Sequence, residues 1–63
     1  YGVWKMWQVT IQQHDGRWTP AFRRGEVVTT YPTKAEAKWW RNFTRRFQAL
    51  KGVKIRVRVE EAK

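Results

Sequence analysis

The sequence predicts an α+β domain, a small β-β-β-α-β chain in which an antiparallel three-strand meander packs on one helix and a fourth strand follows at the C-terminal end. Three observations predict it. Apolar and polar residues alternate near both ends of the chain, the period of half-buried strands. Two glycine-bearing pairs, Asp15-Gly16 and Arg24-Gly25, cut the N-terminal half into strand-length pieces. One stretch, Thr33 to Leu50, has helical period and opens on a capping sequence.

The strands come first. Val3 to Gln13 alternates, with Trp7, Val9 and Ile11 on one side and Gln8, Thr10 and Gln12 on the other. His14-Asp15-Gly16-Arg17 reads as a hairpin with a two-residue type I′ turn at Asp15-Gly16. That turn pairs Ile11 with Pro20 and Val9 with Phe22, so both strands send their apolar sets to one face. Pro20 has no amide to give to a ladder, and a bulge or a broken ladder is expected there. A second tight turn, at Arg24-Gly25 or Gly25-Glu26, brings Val27, Thr29 and Tyr31 to the side of Trp18 and Phe22. After the helix, Val53, Ile55, Val57 and Val59 alternate with Lys54, Arg56, Arg58 and Glu60, and the residues from Glu60 onward fray. A right-handed crossover lets this last strand run parallel to the first, in spatial order 3-2-1-4.

Thr33-Lys34-Ala35-Glu36 has the form of a capping box, with Pro32 excluding any earlier helical turn. Trp40, Phe43, Phe47 and Leu50 recur at spacings of three and four, a stripe expected to cover the sheet. At about 100° per residue, Lys34, Lys38, Arg41 and Arg45 fall on the opposite side. Lys51-Gly52 supplies the C-terminal stop.

Composition narrows the function classes. The 63 residues read as one small basic domain, and a chain this short buries only about 60% of its unfolded surface. Five Trp, three Phe and two Tyr enlarge that core. There is no cysteine, hence no disulfide and no thiolate metal site. No apolar run approaches a membrane span, so no membrane partner is expected. Enzymes are disfavoured as well. His14 is the single histidine and Asp15 the single aspartate, both in a turn; Glu36 is absorbed by the cap; serine and cysteine are missing. No general acid–base pair, metal-ligand set or cofactor-binding loop can be assembled from these residues.

Charge is the strongest global feature. Fourteen Lys and Arg against five Asp and Glu leave a formal net charge of +9, a field that concentrates polyanions. Parity assigns the outer sheet face to Gln8, Thr10, Gln12, Arg17, Thr19, Ala21, Arg23, Val28, Thr30, Lys54, Arg56 and Arg58. Gln reads adenine and Arg reads guanine with paired bonds, and Thr or Ala suits a thymine methyl. The candidate nucleic-acid-binding set is therefore Gln8, Thr10, Gln12, Arg17, Arg23, Lys54, Arg56 and Arg58. An alternative basic ridge is Lys34, Lys38, Arg41 and Arg45, which spans about 16 Å of helix. Trp4 and Trp39, with Met6, fit the core poorly and are candidate exposed contacts for an unpaired base or a protein.

The runs Trp7-x-Val9-x-Ile11, Asp15-Gly16-Arg17-Trp18 and Thr33-Lys34-Ala35-Glu36-Ala37 resemble the arm-type DNA-binding domains of tyrosine recombinases and the similar plant AP2-type domain. The resemblance implies a three-stranded sheet on one helix, with the exposed sheet face laid in the major groove. Here it covers roughly residues 4 to 47, and the strand after the helix is an addition to it.

The expectation is a non-enzymatic, intracellular module, cytoplasmic or nucleoid-associated, that binds nucleic acid, duplex DNA before RNA. The alternative is a small adaptor or inhibitor, of phage or mobile-element type, that docks its basic surface on an acidic host protein. The sequence sets no oligomeric state and asks for no cofactor or metal.

Overall fold

The computed structural model describes residues 5–62. Trp4 lies outside the described residues, and its proposed contact role with it. The strands are β1 (Met6–Gln12), β2 (Trp18–Pro20), β3 (Arg23–Arg24), β4 (Val27–Val28) and β5 (Val57–Ala62), with α1 (Lys34–Leu50) between β4 and β5. The fold is α+β: an antiparallel sheet in the order β2-β1-β5, one helix, and a C-terminal strand that packs on that helix. β3 and β4 form a separate two-stranded ribbon.

The last strand runs antiparallel to β1, pairing Val9 with Val59 and Ile11 with Val57, where the sequence reading had it parallel. The ribbon is the cause. Ala21 donates to the Val9 carbonyl (2.9 Å), and the chain then leaves the sheet through β3 and β4. It rejoins the same edge of β1 at Tyr31, which exchanges both backbone bonds with Trp7 (2.7 and 2.8 Å). Two reversals cancel, so the chain enters α1 with the sense of β2, and a helix returning over the sheet delivers β5 antiparallel to β1. The turn of the ribbon is Gly25-Glu26, with Gly25 at φ +65° in the first central position, as type II′ turns require.

The first hairpin also differs by one residue. Gln13 donates to the Arg17 carbonyl (2.7 Å) and Gly16 to the Gln13 carbonyl (2.9 Å), leaving a three-residue loop with Gly16 at φ +89°. Asp15 stabilises it by accepting from the Arg17 amide (3.0 Å). The register becomes Gln12 to Trp18, Ile11 to Thr19 and Thr10 to Pro20. A one-residue slip exchanges faces. Trp18 therefore lies on the outer face, while Ala21 packs against the core. Pro20 occupies a position whose amide points away from β1, and the ladder runs through it unbroken into the Ala21 bond.

α1 begins and ends where its caps require. Thr33 Oγ1 accepts from the Glu36 amide (3.2 Å). At the other end Val53 donates to the Gln48 carbonyl (2.9 Å) and Gly52 to the Ala49 carbonyl (3.0 Å), a Schellman pair. The core beneath it is Val9, Tyr31, Ala37 and Val57, flanked by Trp7, Ile11, Phe22, Trp40, Ile55 and Val59. Val27, expected in the core, is 70% exposed on the ribbon. β5 starts at Val57 and takes in Glu60 and Glu61, later than the alternation suggested, because Val53 is used to close the helix.

Candidate nucleic-acid interface

The roll of α1 decides what the molecule presents. Its buried residues are Ala37 and Thr44, with Trp40, Arg41 and Gln48 half-buried. Ala37 is fully buried, so a small side chain occupies the middle of the line that α1 turns to the sheet. The stripe expected to cover the sheet is instead turned to one flank: Phe43 is 46% exposed, Phe47 47%, Leu50 83%, and Trp39 beside them 60%. Trp40 alone of that stripe is held inside, edge-on to Phe22 (ring centroids 5.6 Å) and stacked on Tyr31 (6.2 Å).

The same roll carries Lys34, Lys38, Arg41 and Arg45 to the β5 side. An Arg45 guanidinium nitrogen donates to the Val57 carbonyl (3.3 Å), which lies on the edge of β5 that faces away from β1. Lys34 Nζ sits 5.4 Å from the centre of the Trp7 ring. Arg41 reaches only the neighbouring amide oxygen of Asn42 (3.3 and 3.4 Å). Among the described residues no carboxylate pairs with any of the four, the two ion pairs being Asp15–Arg17 and Glu60–Arg58.

The eight residues assigned to the sheet face are not one surface. Gln8, Thr10, Gln12 and Arg58 do share the outer face of β1 and β5. Thr10, however, is buried (2% exposed), with its hydroxyl 3.5 Å from the Arg58 carbonyl. Above it the Arg58 guanidinium lies 3.9 Å from the centre of the Trp18 ring and is ion-paired with Glu60, so strands β2 and β5 are bridged across β1. Gln12 Nε2 turns back to the Gly16 carbonyl (3.3 Å). Arg17 is held by Asp15 (2.7 Å) at the hairpin tip, and Arg23 stands on the separate ribbon. Gln8 borders a concavity that it shares with Val28, Thr30, Glu60 and Glu61. Lys54 and Arg56 are exposed where the chain approaches β5.

The outer face is thus an arginine–tryptophan roof with an acidic end, while the unpaired ridge runs along α1 with Arg45 at the free edge of β5, and Arg23 and Arg24 stay on the separate ribbon. The register explains why. A two-residue first turn would have put Trp18 inside and left Arg58 with nothing to stack on. The pairing of Arg58 with Glu60 is legible as an i, i+2 couple on one strand face, given that β5 reaches that far.

The described residues hold no cluster of three or more His, Cys, Asp or Glu side chains. Among the described residues no helix is long and apolar enough to cross a membrane. The Tyr31 phenol is pushed up by burial and further by the nearby Glu36 carboxylate. No protein-family model matches the chain, and no curated protein or solved structure matches it significantly.

Proposed function

We propose that this chain is a non-enzymatic module that binds nucleic acid, duplex DNA by preference, along the free edge of β5. The observation that carries this reading is the ridge Lys34, Lys38, Arg41 and Arg45. It is a straight rod of cations with no carboxylate bonded to it among the described residues, and Lys54 lines a hollow together with Arg45 at its end. Successive ridge residues stand about 4.5–6 Å apart along the axis, close enough to follow a phosphate strand. Arg58, by contrast, is engaged by Trp18 and Glu60 and serves the fold.

The preference for a duplex rests on the two flanks of the helix. Single-strand binders combine cations with aromatic faces on which bases stack. Here the exposed aromatics lie about 160° around the helix from the ridge, at about 100° per residue, so one strand cannot use both. Phosphate contacts would supply the affinity and hold the register on the duplex.

A salt titration of binding to a random duplex, read by fluorescence anisotropy, tests this. Four to six phosphate contacts give a log–log slope of about −4 to −5. Lys38→Glu with Arg41→Glu should weaken binding at least about tenfold and flatten the slope by about 2. Absence of binding at low salt would overturn the nucleic-acid reading and favour an acidic protein partner. If Arg56→Glu with Arg58→Glu is the costlier pair, the outer sheet face is the docking surface and the ridge is not.

A further inference from the structure

The exposed flank of α1 is unexplained by DNA binding. Trp39, Phe43 and Phe47 form a continuous stack, with centroids 5.9 and 6.3 Å apart and ring planes within 8° of parallel. Leu50 extends the line by one turn. Trp40 packs beneath Trp39 and Phe43, and Phe43 and Phe47 border a groove with Ile11, Ala21 and Phe22, yet about half of each of these two rings and most of Trp39 and Leu50 stay exposed. Aromatic side chains present about 150–250 Å² each, so at their observed exposures these four residues leave about 400–500 Å² of contiguous apolar surface.

We propose that this face pairs with a second copy of the chain, two α1 helices lying antiparallel with Phe43 beside the two-fold axis. The observations favour a copy of the same stripe for two reasons. The first is its symmetry of charge. Glu36 lies seven residues before Phe43 and Lys51 eight residues after it, both bordering the stripe. Lys51 Nζ already sits 4.4 Å from the centre of the Phe47 ring, and Glu36 has no ion-pair partner among the described residues. An antiparallel pairing sets each Glu36 against the other chain's Lys51 and each Trp39 against the other chain's Phe47. Residue i meeting j while j meets i is the condition for a closed two-fold interface. The second reason is area. Two stripes bring together about 900 Å² of apolar surface, the core of an interface of about 1,600 Å² once polar rim residues such as Asn42 and Arg46 are added.

The dimer leaves the basic ridge outside, since ridge and stripe lie on opposite flanks. It does not depend on whether the ridge binds DNA. Its salt dependence is also opposite in sign. Each chain carries a net charge of +9, so the subunits repel, and added salt should tighten an apolar association while it weakens a phosphate contact.

Sedimentation equilibrium of the nucleic-acid-free chain from about 5 µM to about 500 µM, a range that spans weak micromolar association, is the test. The expected result is a mass that rises from one chain to two, at lower concentration in about 0.5 M salt than in about 0.05 M. Leu50→Glu alters a side chain the fold scarcely touches and should weaken pairing at least about tenfold. Glu36→Lys and Lys51→Glu should each weaken it, and the two together should restore it. A one-chain mass at every concentration and salt overturns the proposal. So does a dimer indifferent to Leu50→Glu, or a double exchange that fails to restore pairing after the single ones have weakened it.

Discussion

The roll of α1 makes a direct prediction about which of its aromatic residues hold the domain together. Trp40, Phe43, Phe47 and Leu50 form one stripe in the sequence, and on that pattern alone their truncation should cost similar amounts per unit of side chain. The structure separates them. Trp40 is the hub of the aromatic cluster, with the rings of Phe22, Tyr31, Trp39 and Phe43 all within 6.2 Å of its own, centre to centre. Removing a fully buried Trp costs about 3–5 kcal/mol, so half-buried Trp40 should cost about 2–3 kcal/mol. A domain of this length has about 3–9 kcal/mol in total. Trp40→Ala is therefore expected to remove a large share of the stability at 25 °C. Leu50, at 83% exposure, has given up little of the roughly 1.5–3 kcal/mol that full burial of a Leu provides, and Leu50→Ala should cost under about 0.5 kcal/mol. Phe47→Ala, about half exposed, should fall between them at roughly 1 kcal/mol.

Urea unfolding followed by Trp fluorescence and far-ultraviolet circular dichroism measures all three. It should be run at a few micromolar, so that self-association through the same stripe does not add a concentration-dependent term. Costs of about 2 kcal/mol or more for both Leu50→Ala and Phe47→Ala at that concentration would refute the roll. The position of the basic ridge beside β5 and the exposed aromatic flank would then fall together, because one rotation of the helix places both.

Two further outcomes follow from the same geometry. The Tyr31 phenol is pushed up by burial and by Glu36, so in the unfolded chain it ionises first. Stability should hold below the ordinary tyrosine value near 10 and decline as pH rises through it towards the folded-state value, and Tyr31→Phe should remove that component of an alkaline unfolding curve. Arg58→Met should cost about 0.5–1 kcal/mol through the lost stack on Trp18, yet change DNA affinity less than about threefold, because that guanidinium is already engaged.

Local signals carried the helix and the first strand. The Thr33 hydroxyl and Glu36 amide form the bond that the capping sequence implies, and the chain closes on Gly52 and Val53 where the stop was read. The outer and inner sets of β1 keep their parity, Val9 inside and Gln8 outside. What failed were decisions between alternatives that share one local signature. Asp-Gly serves a three-residue loop with a left-handed glycine as readily as a two-residue turn, and that single residue moves Trp18 from the core to the roof over Thr10. The direction of β5 is likewise invisible in its own alternation. It is set by the return of Tyr31 to the edge that Ala21 left, a closure between residues that neither segment announces. The stripe on α1 misled for a similar reason. Periodicity records which side chains share a face, but not which face the helix turns to the sheet. Ala37 and Thr44 hold the buried line, so the bulkier Phe43 and Phe47 were turned outward together with the cations on the opposite flank. The same logic relocates the candidate interface: once small residues rather than large ones define the buried line, the arginines and lysines must border the sheet edge, and they cannot point directly away from it.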